Sequence, residues 1–145
     1  MVDKEFSAEA ILARVDAIPS MHTFGYRVEE IGPGRAVMVA PYDTKFDGIF
    51  ASFHGGLLAM LADSTGGTAV LTVAGADAMA VTTDLSIRFL APCRTDARAT
   101  AKVIKAGQTL VVVEIDIHDM EGRHVAVSQA SYLRRRKPTT PDTPC

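Results

Sequence analysis

The densest run of chemistry-bearing residues in the chain is His54-Gly55-Gly56-Leu57-Leu58-Ala59-Met60-Leu61-Ala62-Asp63. Its two glycines stand at the first turn of what reads as a buried helix. With no side chains there, the backbone N–H groups of that turn are uncovered, and the positive end of the helix dipole lies behind them. Such a cradle suits a developing oxyanion. Asp63 falls in the middle of the most apolar helix of the chain, where an ionised carboxylate is costly unless it has partners or a task. It is the leading candidate for a nucleophile or a general base. Plainer readings stand beside these: His54 as an N-cap-region histidine satisfied by backbone, and Asp63 as a buried acid paired to a structural arginine. The combination carries more weight than either part.

At about 1.5 Å of rise per residue, Gly55 and Asp63 lie about 12 Å apart along one helix. One chain does not readily bring both to a single carbonyl carbon. If they cooperate, the donor comes from one subunit and the acid from another, which predicts a two-fold dimer with two equivalent sites at its interface.

The rest of the chain narrows the chemistry. It has no G-x-S-x-G elbow, no G-x-x-x-x-G-K-[ST] loop, no H-E-x-x-H helix and no C-x-x-C pair. His22, His54, His118 and His124 form no ligand cluster in sequence, so no metal is assigned. Thr82 reads as a strand-favouring β-branched residue or as a water-positioning hydroxyl. Arg88, Lys102 and Lys105 read as solvated strand positions or as phosphate clamps, and Arg134-Arg135-Arg136-Lys137 as a soluble end. Cys93 reads as a small buried filler.

These residues need a scaffold, and 145 residues suffice for one domain. With 48% hydrophobic and 22% charged residues, that domain should bury a real core. A net charge of −2 supplies no basic field for nucleic acid. Cys93 and Cys145 make neither a disulfide framework nor a zinc spacing, and a reducing cytoplasm is the simplest compartment. The acidic opening, MVDKEFSAEA, does not read as a signal peptide, and no stretch is expected to approach the roughly 20 apolar residues of a membrane span.

Ser7 is a good N-cap, and Ile11, Leu12, Val15 and Ile18 recur at helical spacing until Pro19. Tyr26 to Ile31 and Ala36 to Pro41 flank Gly32-Pro33-Gly34 and predict a hairpin. Asp43 to Phe53 reads as a loop containing Asp47-Gly48. From Gly55 to about Val73 the chain is apolar almost all round, which predicts a central helix buried on most sides. Gly66, Gly67 and Ala69 within it suggest close approach of another backbone. Beyond Gly75 the period changes to two. Leu85, Ile87 and Phe89 alternate with Asp84, Ser86 and Arg88, and Val111, Val113, Ile115 and Ile117 with Val112, Glu114, Asp116 and His118. With Arg98 to Lys105 and His124 to Leu133, this predicts a meander of four long strands. The fold class is α+β, an antiparallel sheet curled around a long central helix.

Three segments together resemble the hotdog-fold thioesterases, and within them the PaaI-type (phenylacetic-acid-degradation) branch that includes acyl-CoA thioesterases. They are Phe53-His54-Gly55-Gly56 with the later Leu61-Ala62-Asp63, the run Thr82-Thr83-Asp84-Leu85-Ser86-Ile87-Arg88-Phe89-Leu90-Ala91-Pro92, and Lys105-Ala106-Gly107-Gln108-Thr109. The similarity spans roughly residues 21–136, and the chain divides into an N-terminal helix (1–20), a hotdog domain (21–137) and a flexible tail (138–145).

The resemblance implies an acyl-CoA thioesterase. The N–H of Gly55 would polarise the thioester carbonyl, His54 would support the preceding loop, and Asp63 of the partner subunit would be nucleophile or base for water. Thr82 would orient that water, with Asp47, Gly48, Gly56 and Arg88 as substrate-binding positions. It implies no metal or organic cofactor, and a homodimer or homotetramer. Many relatives carry Asn or Gln where this chain has Gly48, so either that polar contact is missing or Asp47 replaces it. A hotdog hydratase or dehydratase and a non-catalytic acyl-CoA-binding protein are the alternatives.

Overall fold

The long apolar run becomes helix α3, Gly55–Ala74, and the rest of the fold is laid around it. The computed structural model describes residues 6–135. Arg136, Lys137, Cys145 and the expected tail lie outside the described residues. Ahead of α3 come α1 (Ala8–Asp16), α2 (Pro19–Phe24), β1 (Arg27–Gly32), β2 (Arg35–Ala40) and a short 3-10 turn (Thr44–Phe46). After it come β3 (Met79–Phe89), β4 (Ala97–Ala106), β5 (Leu110–Asp119) and β6 (His124–Arg135).

The Ser7 side chain caps α1, accepting from the N–H of Ala10 at 3.3 Å. Ile11 and Val15 are buried, while Leu12 and Ile18 are exposed. Pro19 does more than end α1, because it stands at the start of α2, where its missing N–H leaves no bond unmade. The hairpin forms as expected, with Ile31 opposite Ala36 and Gly32 opposite Arg35.

The strands form one six-stranded antiparallel sheet in the order β1-β2-β4-β5-β6-β3. Only β4, β5 and β6 are a meander. Helix α3 carries the chain across the inner face of the sheet, so β3 starts at the far edge and pairs with β6, while β4 returns to pair with β2. Three alanines, Ala97, Ala99 and Ala101, give β4 a flat, fully buried inner row on which α3 packs closely. The alternation read in β5 holds, with Val111, Val113, Ile115 and Ile117 all at 0% exposure.

At 20 residues, α3 is after all long and apolar enough to cross a membrane by length and composition. Its packing makes it a core helix, since Leu61, Ala62, Ala69 and Val70 are fully buried against the sheet. In the single chain it is buried on one broad side rather than on most sides. Along the other run Gly56, Ala59, Met60, Asp63, Ser64 and Gly67, which are half-buried or exposed. The glycine at 66 admits a side chain, not another backbone. A Cβ there would stand 2.2 Å from the hydroxyl oxygen of Tyr132 on β6.

Candidate active site

The loop before α3 is stitched at several points. Asp47 bridges to Phe53, the Gly48 N–H donates to Ser52 O at 2.8 Å, and the His54 N–H donates to Phe46 O at 3.2 Å. Phe53 N–H also donates to Cys93 O at 2.8 Å, which ties this loop to the segment after β3. His54 is the N-cap of α3, and its Nδ1 accepts from the Gly56 N–H at 2.9 Å, so the neutral ring carries its proton on Nε2. The N-cap reading of His54 is therefore what the structure has, and it consumes one of the two N–H groups expected to face a ligand. The Gly55 N–H has no acceptor among the described residues, as befits a donor of the first helical turn. A Cβ at Gly55 would lie 3.1 Å from the ring of Phe89, which covers this position from the end of β3.

Asp63 is half-buried on α3, two turns further along. Two hydroxyls hold one of its oxygens: Thr82 Oγ1 donates to Oδ1 at 2.7 Å and the Tyr132 hydroxyl reaches the same Oδ1 at 3.3 Å. Tyr132 also donates to the backbone oxygen of Asp63 at 2.8 Å. Oδ2 has no hydrogen-bond partner among the described residues, and no arginine pairs with the carboxylate there. The arrangement orients the acid through Oδ1 alone. Burial, reinforced by the Asp63 charge, holds the Tyr132 hydroxyl well above its ordinary pKa, so it is a proton donor at any working pH.

Thr82 reaches Asp63 because β3 bulges. The register with β6 shifts between Thr82 and Asp84, so Thr82 opposes Tyr132 while Leu85 opposes Ala130. The extra residue changes the parity of the strand and turns Thr82, Leu85, Ile87 and Phe89 toward α3 alike. Both hydroxyl partners of the acid thus come from one cross-strand pair.

Asp47 and Gly48 lie in the loop beside His54, at the Gly55 end of α3. The Tyr42 hydroxyl donates to Asp47 Oδ1 at 2.7 Å, and this bond is the main cause of the raised pKa of Tyr42. Asp47 thereby holds its own loop. Gly48 does not have a positive φ, and a side chain there would meet His54 only at ordinary contact, 3.7 Å or more. Arg88 is exposed, faces away from α3, and contacts Ser86 and the Ile87 carbonyl. At about 3.3 Å per residue it stands about 20 Å along β3 from Thr82. Tyr132 and Phe89 are the two residues at these positions that were not read as functional from sequence. Among the described residues no group of three His, Cys, Asp or Glu is placed to hold a metal. A hollow of about 340 Å³ beside α1, lined by Leu12, Val15, Met21, Tyr26 and Val28 among others, includes none of the candidate residues.

Residues 50–126 match the model of the thioesterase superfamily. A protein of Saccharolobus solfataricus, provisionally named an esterase, is 36% identical over 140 residues, which is 94% of this chain and 97% of its own. Human acyl-coenzyme A thioesterase 13 is 29% identical over 102 residues, 63% of this chain and 71% of its own. The PaaI protein from the phenylacetic acid degradation operon of E. coli superposes with a TM-score of 0.81 at 24% identity, covering 88% of this chain and 91% of that one, and shares the fold. The matched family segment contains α3 with Gly55 and Asp63 and the whole of β3, so the motif residues and the architecture point the same way, and the chain belongs to the thioesterase superfamily.

Proposed function

We propose that this chain is an acyl-CoA thioesterase of the PaaI type, acting as a homodimer or a homotetramer of paired dimers. The observation that carries the reading is the state of two groups on one helix. Among the described residues, Gly55 offers an unclaimed N–H at the start of α3 and Asp63 an oriented carboxylate with Oδ2 unengaged. Eight positions apart, about 12 Å along the axis, they serve one carbonyl only if they come from two subunits. The edge strand β3, with Met79, Val81 and Phe89 exposed, and the half-open face of α3 around Met60, Asp63 and Gly67 supply surface for a two-fold pairing.

In this reading Asp63 Oδ2 takes a proton from water as the water oxygen bonds to the thioester carbon. The carbonyl electron pair moves onto oxygen against the Gly55 N–H of the other subunit. On collapse the C–S bond breaks, and the departing thiolate takes the proton back from Asp63. A nucleophilic route, in which Oδ2 bonds to carbon and expels the thiolate to leave an anhydride that water then cleaves, uses the same groups. The test is release of free thiol from a panel of aromatic, medium-chain and long-chain acyl-CoAs. Steady turnover on at least one thioester is expected. Tight binding without thiol release would replace this reading by the non-catalytic one.

A further inference from the structure

We propose that Tyr132 is a positioning residue for Asp63: with Thr82 it clamps Oδ1 and so selects Oδ2 as the oxygen that reacts. The proposal rests on the hydrolytic reading above for the word "reacts", but its geometry stands by itself. Tyr132 is 1% exposed, so its hydroxyl sits in the core, its single proton shared between the backbone oxygen of Asp63 at 2.8 Å and Oδ1 at 3.3 Å while the Gly67 N–H is directed at its oxygen. A donor bonded to the backbone oxygen and the carboxylate of one residue ties the side chain to its own helix turn, which limits rotation about χ1 and χ2. The space for this contact comes from Gly66, where any Cβ would stand 2.2 Å from the hydroxyl oxygen and 3.0 Å from the ring carbon bearing it. A glycine that lowers the propensity of a core helix is explained by that contact. At Gly67 a Cβ would meet the same ring only at ordinary contact, 3.6 Å.

The experiment is Tyr132→Phe in the full chain, which keeps the ring and removes only the hydroxyl. The expected result is a fall in kcat of about tenfold to a hundredfold, the range for losing a hydrogen bond to a charged group, with KM within about twofold. In protein labelled with ¹³C at aspartate carboxyls, the Asp63 signal is expected to move. Gly66→Ala, which displaces the hydroxyl, should lower kcat by a larger factor in the wild-type background than in the Tyr132→Phe background, where the added methyl meets only ring carbons at 3.0 and 3.2 Å. A folded Tyr132→Phe protein with kcat within twofold of wild type and an unmoved Asp63 signal would overturn the proposal. So would a loss of rate that only tracks a loss of folded protein. If wild type hydrolyses no thioester while the Asp63 signal still moves in Tyr132→Phe, the hydrolytic reading fails and the clamp stands.

Discussion

Gly55→Pro removes one hydrogen atom from the proposed oxyanion cradle while asking little of the fold. Position 55 is the first residue of α3, the place where proline is best tolerated because its N–H has no partner within the helix. The preceding residue, His54, has φ −56° and ψ 128°, outside the α region that a following proline disfavours in its neighbour. The Gly55 N–H bonds to no described residue, so no protein hydrogen bond is lost. The new Cβ would stand 3.1 Å from the Phe89 ring, which is 54% exposed at the end of an edge strand and can move by the few tenths of an ångström needed. Stability should therefore change by less than about 1 kcal/mol, the proline restriction of the unfolded chain offsetting the contact. Catalysis should not survive so well. One oxyanion donor is worth about 2.7–4 kcal/mol, or about 100-fold to 1000-fold in rate, and the proline Cδ fills the space the N–H addressed. Thiol release from the best acyl-CoA of the panel measures kcat/KM, with thermal unfolding as the control. Gly55→Ala keeps the N–H while adding the same Cβ, so it separates donor loss from crowding. A folded Gly55→Pro enzyme within threefold of wild type, or a Gly55→Ala enzyme as impaired as Gly55→Pro, would refute the role of the N–H.

Asp63→Asn can keep both hydroxyl bonds on Oδ1 and place its amide where Oδ2 was, so it should fold and bind acyl-CoA while kcat falls by about 100-fold to 10,000-fold; near-normal turnover would make Asp63 a structural acid. Mixing Asp63→Asn with Gly55→Pro subunits under conditions of exchange should recover up to about a quarter of wild-type activity, since half the dimers are mixed and each has one intact site; recovery of none from proven mixed dimers would place the whole site within one subunit. Burial raises the Tyr26 hydroxyl from 10.0 to about 12, and that hydroxyl donates to Leu57 O at 2.8 Å. Folding therefore favours its protonated form, so its contribution to stability is complete below pH 10 and is lost as pH rises toward about 12. Denaturant unfolding between pH 9 and about 12 should show that decline, and Tyr26→Phe should flatten part of it; an equal decline in Tyr26→Phe would assign it to other groups.

Local sequence was enough for features that depend on neighbours along the chain. The apolar run from Gly55 set the extent of α3 to within a residue at its C-terminal end, and Ser7 marked the start of α1. Period-two alternation gave the buried face of β5 without error, because each side chain answers to the pleat of its own strand. The separation of Gly55 from Asp63 followed from helical rise alone. Strand order was different. Nothing in the run from Met79 to Arg135 states that β3 lies beside β6 rather than β4, because the helix that carries the chain to the far edge acts only through packing. The surroundings of Asp63 were hidden for the same reason. Extended backward, the alternation of Leu85, Ile87 and Phe89 puts Thr82 on the outer face, and only the bulge, which exists between two paired strands, turns it inward. Tyr132 stands 69 residues from Asp63 in the chain and was one more aromatic in a strand until pairing with β3 and packing under Gly66 brought its hydroxyl to the carboxylate. Sequence by itself determined which elements form and which groups carry charge, since those are properties of a residue and its near neighbours, whereas the capping of the Gly56 N–H by His54 left Gly55 alone with a free one. Tertiary structure alone decided which oxygen of Asp63 is held and which is left free, since a hydrogen bond between distant strands and a helix depends on the three-dimensional register that joins them.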